Sequence, residues 1–383
     1  MSRKTLIVLT SVLMVSLSLA ASPQDGAPKA FKPGEVWLDN HGNPINAHAG
    51  GILFHAGVYY WFGQHMVEGA RGNAAWVGVH VYSSRDLYSW KDEGITLTVK
   101  DDPRSDLAAG CILERPKVIY NARTRAFVMW FHLELKGQGY KSARCGVAVA
   151  DRPAGPYRFV ASFRPNAGVW PDNVEAWQKE PVDPALSERD FSGGFQEDFG
   201  RLNILGRDQA GGQMSRDMTL FVDDDGRAYQ VYSSEENGTL HLSLLTDDYL
   251  KPAGRFVRLL AGRFREAPVL FKYQKKYYLI TSGCTGWRPN EAGLAVADRV
   301  WGPWKEVGNP CRGRSEEEAT TFGAQGTFML PVQGQAGAFI FMADRWRPEN
   351  AIDGRYVWLP VQWENGFPVL KWLPEWDLSI FKK

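Results

Sequence analysis

The sequence predicts an all-β fold, a five-bladed β-propeller with four-stranded antiparallel blades, and three observations carry that expectation. An apolar run, a turn and a second apolar or aromatic run recur five times. A further pair of short runs follows each recurrence. No long helix is evident, and the runs are short, rich in β-branched and aromatic residues, and separated by Gly, Asp or Asn.

The first element is a leader. Arg3 and Lys4 give a basic start, Leu6 to Leu19 an apolar stretch, and Ser18-Leu19-Ala20 a small-residue cleavage site. The stretch is too short for a comfortable membrane span. Residues 1–20 therefore read as a signal peptide, and the mature chain is expected to be secreted or periplasmic. Residues 21–33 read as a linker and 34–383 as one propeller domain.

The inner hairpins of the blades fall at residues 50–63, 115–131, 218–233, 267–282 and 326–343. The outer strand pairs fall at 78–94, 146–160, 239–257, 293–307 and 356–372. Each blade thus offers four strands. Successive inner runs start about 50 to 65 residues apart, except for a gap of roughly 100 between blades two and three. The excess, about 164–212, reads as an inserted surface loop that lines one side of a site.

Composition narrows the function. Formal net charge is +1, with no basic block or stripe, which argues against nucleic acid. The 15 Trp include candidates for sugar binding, since the apolar face of a pyranose lies flat on an indole. Four cysteines, Cys111, Cys145, Cys284 and Cys311, allow bonds within the second unit and within the fourth. No Cys/His cluster points to zinc, and no cofactor or metal site is expected. Motifs for serine hydrolases, zincins and nucleotide binding are absent.

Aligned on the first apolar run, the preceding residue is Ala49, Glu114, Asp217, Glu266 and Gln325 in turn. In a propeller such positions converge at one mouth of the central channel. Glycoside hydrolysis needs two carboxyl groups, one protonated to assist the leaving oxygen and one group to activate water or attack. Taken singly, each acid reads equally as a strand-edge charge, Glu114 pairing with Arg115 or Lys117 and Glu266 with Arg265. Other segments carry weaker signals. Asp223-Asp224-Asp225-Gly226 fits a hairpin turn better than a calcium loop, because Phe221 and Tyr232 fall where ligands are needed. Residues 83–90 read as a structural turn, with Trp90 packed between blades. Trp287, Trp346 and Arg345 follow second strands in loops and read as a sugar platform or as inter-blade packing. His48 and Asn46 precede the first inner strand, and His48 reads as a sugar contact or a buried structural group.

At Asn46, His48, Glu114-Arg-Pro, Asp217 before Asp-Asp-Asp-Gly, Glu266-Ala-Pro and Gln325, the chain resembles glycoside hydrolase family 43, in particular its branch of exo-β-1,3-galactanases and β-galactosidases. The likeness runs from about residue 35 to the C-terminus. It implies a five-bladed propeller, inverting hydrolysis of terminal β-linked galactose, and an oligo- or polysaccharide partner of the β-1,3-galactan type. Glu266 would be the general acid and Asp217 the residue that tunes its pKa. The family's usual Asp base would fall at Ala49. The galactanase branch shares that loss and is thought to use a Gln, here Gln325; Glu114 is the second candidate. Two rivals stay open. One is a same-fold α-L-arabinofuranosidase or β-xylosidase, separable by a panel of glycosides. The other is a non-catalytic sugar-binding propeller, which would bind sugar without releasing it.

Overall fold

The computed structural model describes residues 30–182 and 199–382. The expected signal peptide, most of the expected linker and the centre of the insert lie outside the described residues.

Five antiparallel sheets follow one another along the chain, each running from inner to outer strand in sequence order. Blade 1 is His48–His55, Val58–His65, Gly78–Ser84 and Lys91–Thr98. Blade 2 is Cys111–Asn121, Ala126–Glu134, Arg144–Ala150 and Arg158–Phe163. Blade 3 is Met218–Val222, Ala228–Ser234, Thr239–Leu245 and Pro252–Leu259. Blade 4 is Arg265–Tyr273, Lys276–Gly283, Gly293–Ala297 and Lys305–Gly308. Blade 5 is Gln325–Pro331, Phe339–Arg345, Arg355–Glu364 and Phe367–Lys371. The four-stranded expectation holds with two additions. Ala74–Ala75 pairs with the inner strand of blade 2, and Cys111 is one of its partners. Cys311–Arg312 runs parallel to the outer strand of blade 5.

The continuous apolar runs have a packing cause. A blade is sandwiched between two others, so both faces of its middle strands are dry. In Ala228–Ser234 every residue is buried. Ala228 and Tyr232 pack with Val128 and Trp130 of blade 2, whereas Tyr229 and Val231 pack with Leu270 and Leu279 of blade 4. That division is the strand period of two.

The four main strands of each blade come from a contiguous piece of chain, so the ring closes between blades 1 and 5 by side-chain packing and by the chain ends. Trp358 of blade 5 lies 4.8 Å from Trp61 and 6.0 Å from Trp90. Phe31 stacks on Trp376 at 4.3 Å and exchanges backbone hydrogen bonds with it. Phe31 therefore belongs to the folded body, although it falls inside the expected linker. The turn before Trp90 is tied as its sequence suggests: Ser84 Oγ accepts from Leu87 N, and Asp86 Oδ1 accepts from Tyr88 and Ser89 N.

The described parts of the insert strap blade 3. Asn166 donates to Tyr232 and Ser243, and Asn173 bonds the backbone of Arg258 in both directions. All four cysteines are free thiols, so neither of the bonds the sequence allows is formed. Cys111 sits on the first strand of blade 2 and Cys145 on the third. Cys145 is level with His132 and Glu114, three residues along from Cys111, so one intervening strand and that offset together put the two Cα atoms well over about 9 Å apart, beyond the reach of a disulfide.

Candidate active site

The inner strands of blades 1, 2 and 4 carry a β-bulge near their starts, and the bulge decides what faces the axis. Register shifts fall between His48 and Gly51, Glu114 and Lys117, and Glu266 and Val269. The residue after the first of each pair has positive φ: 52° at Ala49, 54° at Arg115 and 52° at Ala267. His48, not Ala49, is therefore in register with Glu114 and Glu266. The expected blade 1 alignment is off by one residue, because a bulge inserts a residue without a sequence gap. Gln325, at the start of its strand, pairs with Asp344. Cross-strand neighbours are polar throughout: His48 faces Gln64, Glu114 faces His132, and Glu266 faces Ser282.

Three blades are joined by Arg115, a residue the sequence reading treated only as a neighbour for Glu114. Its Nε pairs with Asp217 Oδ1 at 2.8 Å, and its Nη2 donates to Gln325 Oε1 at 2.6 Å. Its Nη1 donates to Gly326 O at 3.0 Å. Asp217 Oδ2 accepts from Ala267 N at 3.0 Å, one residue beyond Glu266. Asp217, Glu266 and Gln325 are thus brought together as the repeat predicts.

The carboxyl groups are held in different states. Burial, then the nearby Asp217 charge, raises Glu266 to about 8, against the opposing pull of Arg115 and Gln325. A buried acid beside an anion stays protonated at neutral pH. Glu114 goes the other way. Burial opposes its ionisation, but hydrogen bonds from His132, Asn73 and Tyr140 outweigh it and hold the pKa below the usual carboxylate value. Its Oε2 meets His132 Nδ1 at 2.7 Å; Oε1 accepts from Tyr140 at 2.9 Å and also from Asn73. His132 Nε2 meets Glu134 Oε1 at 2.9 Å, and Glu134 is itself fully buried. The strand sequence offered a signal for this pair: His132 and Glu134 are two apart in an otherwise apolar run, on one face.

His132 carries a testable pH dependence. Burial lowers its pKa, but the hydrogen bonds and charges of Glu114 and Glu134 win and raise it to about 9. A base whose folded pKa exceeds its unfolded value of about 6.5 stabilises the fold fully below that pH. The contribution is lost as pH rises through about 9. Denaturant midpoints of wild type and His132→Gln should therefore differ most near pH 6 and converge toward pH 10.

A carboxylate oxygen of Glu114, a ring nitrogen of His132 and a carboxylate oxygen of Asp217 lie within 4.8 Å of one another. This donor set does not fit a divalent cation. Asp217 already carries the Arg115 guanidinium, and both nitrogens of His132 face carboxylates as donors. Below the mouth, Lys117 is buried and donates to Ala49 O at 2.9 Å; burial, then Arg115, holds its pKa well below the lysine value.

The expected sugar contacts divide. Trp287 and Trp346 meet edge to face at 5.6 Å and line a hollow with Gln325 and Ser282. Trp346 Nε1 donates to Gln325 Oε1 at 2.9 Å. Arg345 turns away: it donates twice to Phe322 O and lies over the Trp372 ring at 4.7 Å. His48 is fully buried, stacked on Tyr356 at 5.3 Å. Gly354 covers it so closely that an added Cβ would come within 2.7 Å of its ring. Asn46 spends both ends of its amide on Met66 N and O. It faces a separate cavity of about 420 Å³ at the blade 1–blade 5 junction. Arg345, His48 and Asn46 are structural in this arrangement.

A sequence profile for glycosyl hydrolases family 43 matches residues 197–368. A solved family-43 β-1,3-galactosidase, with galactodeoxynojirimycin, shares 51% identity at a TM-score of 0.85, over 91% of this chain and 100% of that one. An exo-β-1,3-galactanase from Clostridium thermocellum shares 34% identity at 0.73, over 91% of this chain and 66% of that one. The Phanerochaete chrysosporium exo-β-1,3-galactanase, solved with β-1,3-galactotriose, shares 28% identity at 0.73, covering 92% and 68%. No curated protein matches.

Proposed function

Since the chain belongs to glycosyl hydrolase family 43, we propose that it removes terminal β-1,3-linked galactose from galacto-oligosaccharides or β-1,3-galactan by inverting hydrolysis. One observation carries the mechanism: two carboxyl groups at one channel mouth are held in opposite protonation states, Glu266 as an acid and Glu114 as an anion. That division is what a glycosidase requires.

Glu266 donates its proton to the glycosidic oxygen as the bond from that oxygen to C1 breaks. Water attacks C1 from the opposite face and gives up a proton to a basic group, for which Glu114 and Gln325 are the candidates. Asp217, paired with Arg115, supplies the negative charge that helps keep Glu266 protonated in the free enzyme. Trp287 and Trp346 supply an aromatic wall for the sugar. We propose export to the cell exterior or periplasm on the strength of the N-terminal sequence.

Proton NMR of the first turnovers on β-1,3-galactan tests the reading. Galactose should appear as the α-anomer before it mutarotates. Release of the β-anomer would exclude inversion. Failure to release galactose, while aryl arabinofuranosides or xylosides are cleaved, would replace the substrate assignment.

A further inference from the structure

We propose that Gln325 is a positioning residue for Glu266 and does not activate the attacking water. The proposal rests on the glycosidase reading above and decides between its two candidates.

The observation is a count of hydrogen bonds. A primary amide has two acceptor positions on oxygen and two N–H donors on nitrogen. Gln325 uses all four within the protein. Its Oε1 accepts from Arg115 Nη2 at 2.6 Å and from Trp346 Nε1 at 2.9 Å. Its Nε2 donates to Glu266 Oε1 at 3.0 Å and to Ser282 Oγ at 2.9 Å. The residue is 9% exposed, and both acceptor positions of its oxygen are taken.

The partners also fix the orientation and the tautomer. Guanidinium and indole N–H groups only donate. Exchanging oxygen and nitrogen would set an NH₂ group against two donors. A Gln base needs the imidic tautomer, whose oxygen carries a proton, and that proton would point at the same two donors. The surroundings therefore select the ordinary amide, which has no basic site at neutral pH. Glu114 contrasts with it. Its carboxylate offers about four acceptor positions, and three are taken, by Tyr140, Asn73 and His132. Of the two candidates, only Glu114 keeps a position for water.

What Gln325 does is hold the acid. Its N–H bonds Glu266 while its oxygen is anchored to Arg115, which is anchored to Asp217. It therefore fixes where the Glu266 carboxyl sits relative to the glycosidic oxygen. Its hydrogen bond favours the carboxylate and limits how far burial raises the acid.

Gln325→Met preserves volume and removes all four hydrogen bonds. Two readouts follow. The first compares leaving groups. A group that serves the general acid matters when the leaving oxygen needs a proton and little when it does not. Gln325→Met should lower kcat/KM about 10- to 30-fold on β-1,3-galactobiose but less than about 3-fold on 2,4-dinitrophenyl β-D-galactoside. An equal loss on both substrates, or recovery with added azide, would make Gln325 the water activator and overturn the proposal. The second is a ¹³C titration of the Glu266 carboxyl, expected to move up by about one pH unit in the variant. An unmoved titration overturns the proposal whether or not the enzyme turns over. If wild type cleaves neither galactoside, the galactosidase reading falls while the titration still judges the Gln325–Glu266 link. Should Gln325→Met not fold, Gln325→Asn keeps the amide but is too short to span Arg115 and Glu266. It should give the same pattern in both readouts, and wild-type behaviour there would also refute the proposal.

Discussion

Glu266→Gln should lower kcat on β-1,3-galactan by about 10²- to 10⁴-fold, the range for losing a general acid, while leaving the fold intact or stabilising it. The second half makes the expectation specific. Glu266 is raised to about 8 in the folded protein by burial, then by Asp217. A group raised on folding favours the fold fully below its unfolded pKa, here about 4.5, and loses that contribution as pH rises through about 8. Glutamine resembles the protonated acid at every pH and escapes the loss. Melting temperatures of wild type and variant should coincide near pH 4.5, and the variant should gain increasingly toward pH 9. The same ionisation should set the basic limb of wild-type kcat/KM near pH 8. Near-normal turnover by Glu266→Gln would remove Glu266 from the mechanism. Equal destabilisation of both proteins with pH would show that its carboxyl is not held protonated.

The sequence carried the blades because their physics is local. Middle strands such as Ala228–Ser234 are dry on both faces, so they read as uninterrupted apolar runs bounded by turn residues. The convergence of Asp217, Glu266 and Gln325 was legible for a related reason: a repeat converts distance along the chain into angle around an axis. What failed was register. Aligning apolar runs placed Ala49 with the acids, whereas bulges at Ala49, Arg115 and Ala267, with φ between 52° and 54°, put His48 there. A bulge leaves no gap in a sequence and is visible only through backbone pairing.

Polar residues outside the repeat position were harder to read. Trp287 and Trp346 stand at the hollow, but Arg345, adjacent in sequence, points to Phe322 and Trp372. Neighbours along a chain leaving a strand point in opposite directions, so a motif such as Asp344-Arg345-Trp346 cannot be transferred whole. His48 and Asn46 carried the right chemistry for a sugar, but Gly354 covers the His48 ring and the Asn46 amide is spent on the Met66 backbone. The cysteines could not be paired from sequence, because compartment and count only allow a bond, while forming it depends on which strands lie between.

Arg115→Met is expected to have the second large effect, on stability as well as rate. Arg115 is 4% exposed and makes three separate contacts, to Asp217, Gln325 and Gly326 O. Removing one partner of a buried ion pair costs about 3–5 kcal/mol, because the other charge stays buried without compensation. Asp217 would be that charge, 16% exposed on its side chain and still held by the amide of Ala267. Lysine would not replace the arginine, since one ammonium cannot reproduce a fork shared among three acceptors. The control is the double variant Arg115→Met/Asp217→Asn, which removes both charges. Its loss of stability in urea should be smaller than the sum of the two single losses, because the orphaned anion is gone. Turnover should not return with it, since the charge that keeps Glu266 protonated in the free enzyme has gone too. Additive losses would mean that Arg115 and Asp217 are not coupled. A double variant with wild-type turnover would separate that ion pair from catalysis and leave Glu266 to be tuned by burial alone.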